Sequence, residues 1–238
     1  NRLGRGHQPW YLYTTGVVDT AVRGRCEVRR RFHTTEVPAS CKLALERPED
    51  FEVLVNGQAI GAPDGWWVDE DIRTVDVGAY LREGENEVLL RCDYRPTVEL
   101  EDLYLVGEFG VAFRGPVRRP GAPTLVAPPQ RLELGSWLDQ GLPFYGGAVR
   151  YRLRVAPPRR GRRLRLRLPE ARATAVAVHA GGRTFVLPWP PFVADITDAL
   201  AAGEETAVDV EVIGGRRNIL GPLHTPWGAW TGDRKSVV

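Results

Sequence analysis

The 238 residues are long for one small domain and comfortable for two, since single domains mostly run to about 100–150 residues. Hydrophobic residues at 43% and charged residues at 26% are ordinary for a globular chain, and no apolar run approaches the roughly 18 residues of a membrane helix, so no membrane partner is expected. The net charge of +2 conceals −5 over residues 1–118 and +7 over residues 119–238, an asymmetry that would favour docking of the two halves.

The chain opens at Asn1 with no methionine anywhere and no secretory pattern, as an excised or processed fragment would, and this leaves cytoplasmic and secreted locations equally open. The first strand pattern places Cys26, Val28 and Phe32 on one face. By the same parity Cys41 sides with Leu43 and Leu45, and Cys92 with Val88 and Leu90. All three cysteines therefore read as buried core thiols, and the odd count without a C-x-x-C spacing argues against a zinc site or a full disulfide framework.

Val53 and Val55 mark a strand that turns at Asn56-Gly57, a pair suited to a type I′ turn because both central residues need positive φ. Trp66 and Trp67 follow. Neighbours in a strand point to opposite sides, so one of the two is expected in the core and the other exposed. Asp69, Glu70 and Asp71 read as a solvated acidic face, with a structural calcium site as the alternative; no other cofactor is expected. A single helical turn is expected near Asp76 to Leu81, then a strand through Val88, Leu90 and Cys92. The acids Glu99, Glu101 and Asp102 also read as a solvated face.

Between Gly115 and Arg131 stand five prolines. Proline lacks the ladder donor, so this stretch is expected to connect two domains, 1–115 and 132–238, through residues 116–131. Thr124 to Ala127 could still add a short edge strand. In the second half Val149, Tyr151, Leu153 and Val155 alternate with arginines, Leu164, Leu166 and Leu168 do the same, and Val208, Val210 and Val212 alternate with acids. The arginine stripe is one face of a sheet, and without interleaved aromatic rings it lacks the usual single-stranded nucleic-acid surface. His179 and Ala180 stand where Asn56 and Gly57 do in the first half, which predicts a longer or bulged second hairpin. Asp195 and Thr197 can cap a short apolar turn, and Gly203 offers a left-handed exit from it.

Landmarks recur in order at nearly one spacing: VRRRF at 28–32 and VRYRL at 149–153, LVNGQ at 54–58 and AVHAGG at 177–182, VDVGAYLREGEN at 75–86 and ADITDALAAGEE at 194–205. The pattern is that of one all-β unit of about 110 residues present twice.

VNGQAIG at 55–61, DVGAYLREGENEVLL at 76–90 and GGRTFVLPWPPFVADITDALAAGEETAVDVEV at 181–212 resemble the galactose-binding-like, sugar-binding-like jelly-roll domains of glycoside hydrolase family 2 enzymes. ELEDLYLVGEFGV at 99–111, LDQGLPFYGGAVRYR at 138–152 and RRNILGPLH at 216–224 are similar to the β-sandwich region of rhamnosidase-like bacterial enzymes. The resemblance implies two tandem antiparallel jelly-roll β-sandwiches. It also implies that a strand should follow Trp230 to Gly232, where only DRKSVV remains, so the second unit is expected to lack its final strand.

The implied function is that of a non-catalytic accessory region of a bacterial glycoside hydrolase, its partner the catalytic domain of the parent enzyme and, secondarily, an oligo- or polysaccharide. A free-standing carbohydrate-binding module is the alternative. No paired carboxylates, histidine set or nucleophile elbow can be assembled, so no catalytic residue is assigned. Saccharide binding would fall to tryptophan, whose rigid ring suits the apolar face of a pyranose: Trp66, Trp67, Trp189, Trp227 and Trp230 are the candidates, with Trp10 and Trp137 read as packing residues.

Overall fold

A computed structural model describes residues 16, 19–98, 100–113, 123–159, 161–200, 204–215, 219, 224–225 and 228–229. The chain divides into two compact units, Asn1–Leu134 and Gly135–Val238. Both are all-β, and helix among the described residues is confined to single 3-10 turns.

The first unit is a β-sandwich. Its larger sheet holds β1 (Gly24–Thr34), β3 (Glu52–Val55), β4 (Gln58–Ala59), β7 (Gly84–Tyr94), β9 (Gly110–Phe113) and β10 (Pro123–Val126), in the order β4-β3-β7-β1-β10-β9. The smaller holds β2 (Cys41–Glu46), β5 (Gly65–Trp67), β6 (Asp69–Asp76) and β8 (Tyr104–Gly107), in the order β5-β6-β2-β8. Phe32, Val53, Val55, Val88 and Leu90 from the first sheet meet Cys41, Leu43 and Leu45 from the second, each on the inward parity of its strand.

Among the described residues pairing is antiparallel except between β1 and β10, where His33 lies beside Thr124 and Thr34 beside Leu125 in parallel register. This corrects the reading of Thr124 to Ala127 as an edge strand. The segment lies between β1 and β9, Leu125 is buried, and proline is tolerated because Pro123 stands at the first strand position, before the ladder needs its donor.

The second unit repeats part of this plan. β11 (Ala148–Val155), β13 (Ala175–Ala180), β14 (Arg183–Leu187) and β16 (Thr206–Ile213) run in the order β11-β16-β13-β14, matching the order β1-β7-β3-β4 of the first unit. A two-stranded sheet of β12 (Arg165–Leu168) and β15 (Phe192–Asp195) supplies Phe192 and Ala194 to the other side of a core centred on Val176, Val178, Val208 and Val210. β17 (His224–Thr225) and β18 (Gly228–Ala229) form a separate short pair.

The two hairpins settle against a 3-10 turn by different means. In the first unit Asn56 (φ 50°) and Gly57 (φ 80°) form a two-residue turn, and Asn56 Nδ2 donates to Tyr80 O, 2.8 Å away, at the end of the Gly78–Tyr80 turn. In the second unit the turn is Gly181-Gly182, with φ of 51° and 72°, closing Ala180 against Arg183. It is as tight as the first, contrary to the expectation of a longer or bulged loop, because the two glycines, not His179 and Ala180, occupy the turn. A Cβ on Gly181 would stand 1.9 Å from Ala199 O at the end of the Thr197–Ala199 turn, so bare backbone takes the place of the Asn56 amide.

Candidate functional site

The outer face of the smaller sheet in the first unit departs from ordinary alternation. On β2 the inward residues are Cys41, Leu43 and Leu45, so Lys42, Ala44 and Glu46 face outward, yet Ala44 is fully buried. Cross-strand register explains it: Gly65 pairs with Thr74, Thr74 with Ala44, and Ala44 with Tyr104, a row across all four strands that spans roughly 14 Å at ordinary strand spacing. Thr74 is also buried. Trp67, two residues beyond Gly65, meets the Tyr104 ring with centroids 5.2 Å apart and planes tilted by 49°, and the two rings roof this row of small residues.

Beside the rings lies a polar cluster. Lys42 Nζ donates to Asp64 Oδ2 and Thr74 Oγ1 to Asp64 Oδ1, each at 2.8 Å. The Lys42 ammonium, with the Thr74 hydroxyl, holds the Asp64 carboxyl below the usual carboxylate range. Burial, with Asp102 and Glu101 nearby, pushes the Tyr104 phenol up. The arrangement is an aromatic surface edged by a fixed carboxylate and a fixed ammonium, a chemistry that stacks on an apolar ring face and hydrogen-bonds hydroxyl groups.

The tryptophan pair thus sits differently from its expectation. Trp66 is 56% exposed and Trp67 half-buried under Tyr104, and neither belongs to the core, because β5 is the edge strand of its sheet and a shift of register follows Trp66. Trp189 stands 72% exposed between β14 and β15 in the other unit, in a segment with a cis Pro190-Pro191 bond. Trp137 is a packing residue, its Nε1 donating to Tyr151 Oη at 2.8 Å. Trp227, Trp230, Trp10, Glu99, Gly203 and the DRKSVV end lie outside the described residues. Asp69, Glu70 and Asp71 are all exposed, and Asp69 Oδ1 accepts from Asp71 N at 3.0 Å. Among the described residues no three His, Cys, Asp or Glu side chains are grouped as a metal would need.

Tyr104, Asp64 and Thr74 were not legible as site residues. The one signal was Ala44, a small residue between Lys42 and Glu46 on a solvent-facing parity, which marks a place where something lies on the sheet.

The outer face of the larger sheet in the second unit carries a cross-strand polar ladder. Arg152, Asp209, His179 and Thr184 lie in one row and Arg150, Glu211 and Ala177 in the next. His179 Nδ1 is 3.0 Å from Thr184 Oγ1, and its Nε2 is shielded from solvent 3.5 Å from Glu211 Oε2. Glu211 already accepts from Arg150 at 3.1 Å, which, more than His179, holds its carboxyl below the usual range. The hydroxyl, imidazole and carboxylate sit on a regular ladder of pairs, the sheet's ordinary means of satisfying charge.

No family model matches the chain, and no curated protein matches it. Among solved structures, an alpha-L-rhamnosidase of Streptomyces avermitilis in complex with L-rhamnose is similar at 15% identity over 82% of this chain and 22% of that one, with a TM-score of 0.32. A rhamnosidase from Novosphingobium sp. PP1Y is similar at 14% identity over 96% of this chain and 24% of that one, also with a TM-score of 0.32. The chain thus spans about a quarter or less of the length of either enzyme.

Proposed function

We propose that the chain is a non-catalytic accessory region of a bacterial glycoside hydrolase, a tandem pair of galactose-binding-like jelly-roll sandwiches that packs beside a catalytic domain and holds saccharide on its first unit. The motif resemblance at residues 55–61, 76–90 and 181–212 supports the accessory role. So does the work done by the residues of those motifs: Asn56 and Gly57 close a hairpin, Asn86 locks a loop and Gly181 seats a turn.

The observation that carries the binding proposal is the Trp67–Tyr104 roof over Ala44 and Thr74, edged by Asp64 and Lys42. Stacking of an aromatic ring contributes about 1–1.5 kcal/mol, a factor of roughly 5–12 in affinity. Affinity electrophoresis of the whole chain in gels cast with plant and bacterial polysaccharides tests the proposal. Retardation by at least one polysaccharide is expected, weakened about tenfold by Trp67→Ala and by Tyr104→Ala and unchanged by Trp189→Ala. Retardation indifferent to both first-unit substitutions would overturn the assignment of the site.

A further inference from the structure

The inward face of the larger sheet in the first unit brings two of the three thiols together. Cys26 of β1 and Cys92 of β7 are direct partners in the antiparallel ladder, and neither is in a disulfide. The ladder fixes their spacing. Asn56 N donates to Glu87 O, so residues 87, 89 and 91 turn their backbone polar groups toward β3, and residues 88, 90 and 92 turn theirs toward β1. Cys26 and Cys92 are therefore a hydrogen-bonded pair, with α-carbons about 5.5 Å apart, inside the roughly 4.4–6.8 Å window of a disulfide.

We propose that Cys26 and Cys92 form a reversible disulfide site. This goes beyond the saccharide reading and does not depend on it. The two positions divide the chemistry between them. Cys26, at the strand end, is half-buried and reachable by a small oxidant, whereas Cys92 is buried. With a disulfide oxidant such as glutathione disulfide, the Cys26 thiolate attacks one glutathione sulfur, forming a mixed disulfide and releasing one glutathione thiolate. Cys92 then gives up its proton to solvent and attacks the Cys26 sulfur, and the second glutathione leaves. The two protein thiols lose two electrons and two protons, and one glutathione disulfide becomes two glutathione thiols.

Cross-strand partners hold their β-carbons about 4.5–5.5 Å apart, wider than the roughly 3.5–4.5 Å of a relaxed bridge, so the bond closes under strain and reopens readily in reduced glutathione. Cys41 stays outside the exchange: it is buried on the opposite sheet, with Gly107 and not a cysteine as its ladder partner. The odd cysteine count thus resolves into one pair and one core thiol.

The test is thiol counting and peptide mapping of the native 238-residue chain after incubation with glutathione disulfide. The titratable thiols, counted after unfolding, should fall from three to one. A tryptic species should link residues 26–29 to residues 92–114, and reduced glutathione should restore all three thiols. Cys92→Ser should instead retain glutathione on Cys26, because the resolving thiol is gone, and Cys26→Ser should leave Cys92 unmodified. Three free thiols after oxidation of the parent chain, stable glutathionylation of Cys26 with Cys92 still free, or a Cys26–Cys26 dimer would each overturn the proposal.

Discussion

Asn86 shows how a residue that looks like ordinary turn chemistry becomes a structural centre. It is fully buried, its Nδ2 donates to Arg82 O at 2.7 Å and to Thr34 Oγ1 and Gly84 O at 3.2 Å, and its Oδ1 accepts from Asn56 Nδ2 and Arg82 N. One side chain thus ties β1, the hairpin and the loop into β7. Asn86→Ala leaves several buried partners unmet and should destabilise the first unit by about 2–4 kcal/mol, read as a lower urea midpoint with little change in slope. The G-E-N motif was visible in the sequence, but its reach to Thr34 was not, because the contact joins residues 52 apart.

Cys41 gives a second prediction at this scale. Its folded thiol is pushed up to about 12, against an ordinary value of 9.0, by burial first and by Asp76 second. Above pH 9 the unfolded chain has released this proton while the folded chain keeps it, so stability falls as pH rises from about 9 towards 12. The slope from one such group is about 1.4 kcal/mol per pH unit. Urea midpoints measured from pH 8 to 10.5 should decline more steeply in the parent chain than in Cys41→Ala; equal slopes would contradict the assignment. Strand parity placed Cys41 and Cys92 correctly in the core. It missed that Cys26 is only half-buried, since parity gives the face of a residue and says nothing of whether the opposite sheet extends over the strand end.

At the scale of elements, strands with clean alternation were legible: Val149 to Val155 and Val208 to Val212 lie in strands, and of the alternating run at 163–168 the strand takes Arg165 to Leu168, leaving Leu164 just before it. What alternation cannot give is the order in which strands pair, and this is why β10 was misjudged as an edge and why the Trp67–Tyr104 contact, built across four strands, went unseen. The second hairpin was misread because its equivalent of Asn56 lies two residues later than the aligned position. The correction is testable. Gly181→Ala meets both a positive φ and the Ala199 carbonyl, so it should cost about 2–4 kcal/mol. Gly57→Ala meets only the positive φ, with open space for its Cβ, and should cost about 1 kcal/mol. Equal effects in thermal unfolding would show that the hairpin does not rest on the 3-10 turn.

For the whole molecule, the two cores share no residue. Unfolding in urea should therefore resolve two transitions, with Asn86→Ala moving one and Gly181→Ala the other; a single transition shifted by both would show one cooperative body. The hairpin at Asn56-Gly57 was readable from the sequence because turn grammar is local. The proposed saccharide face was not readable in this way, because it is assembled from residues 42, 64, 67, 74 and 104, which only the sheet brings together. The most direct measurement of the central proposal is proton NMR of the intact chain titrated with an oligosaccharide from a polysaccharide that retards it. The Trp67 indole N–H should shift on binding, the Trp137 N–H, held by Tyr151, should stay in place, and no new reducing-end anomeric signals should grow with time. A Trp67 resonance that never moves under saturating saccharide, or the appearance of new reducing ends, would contradict a non-catalytic sandwich that binds sugar on this face.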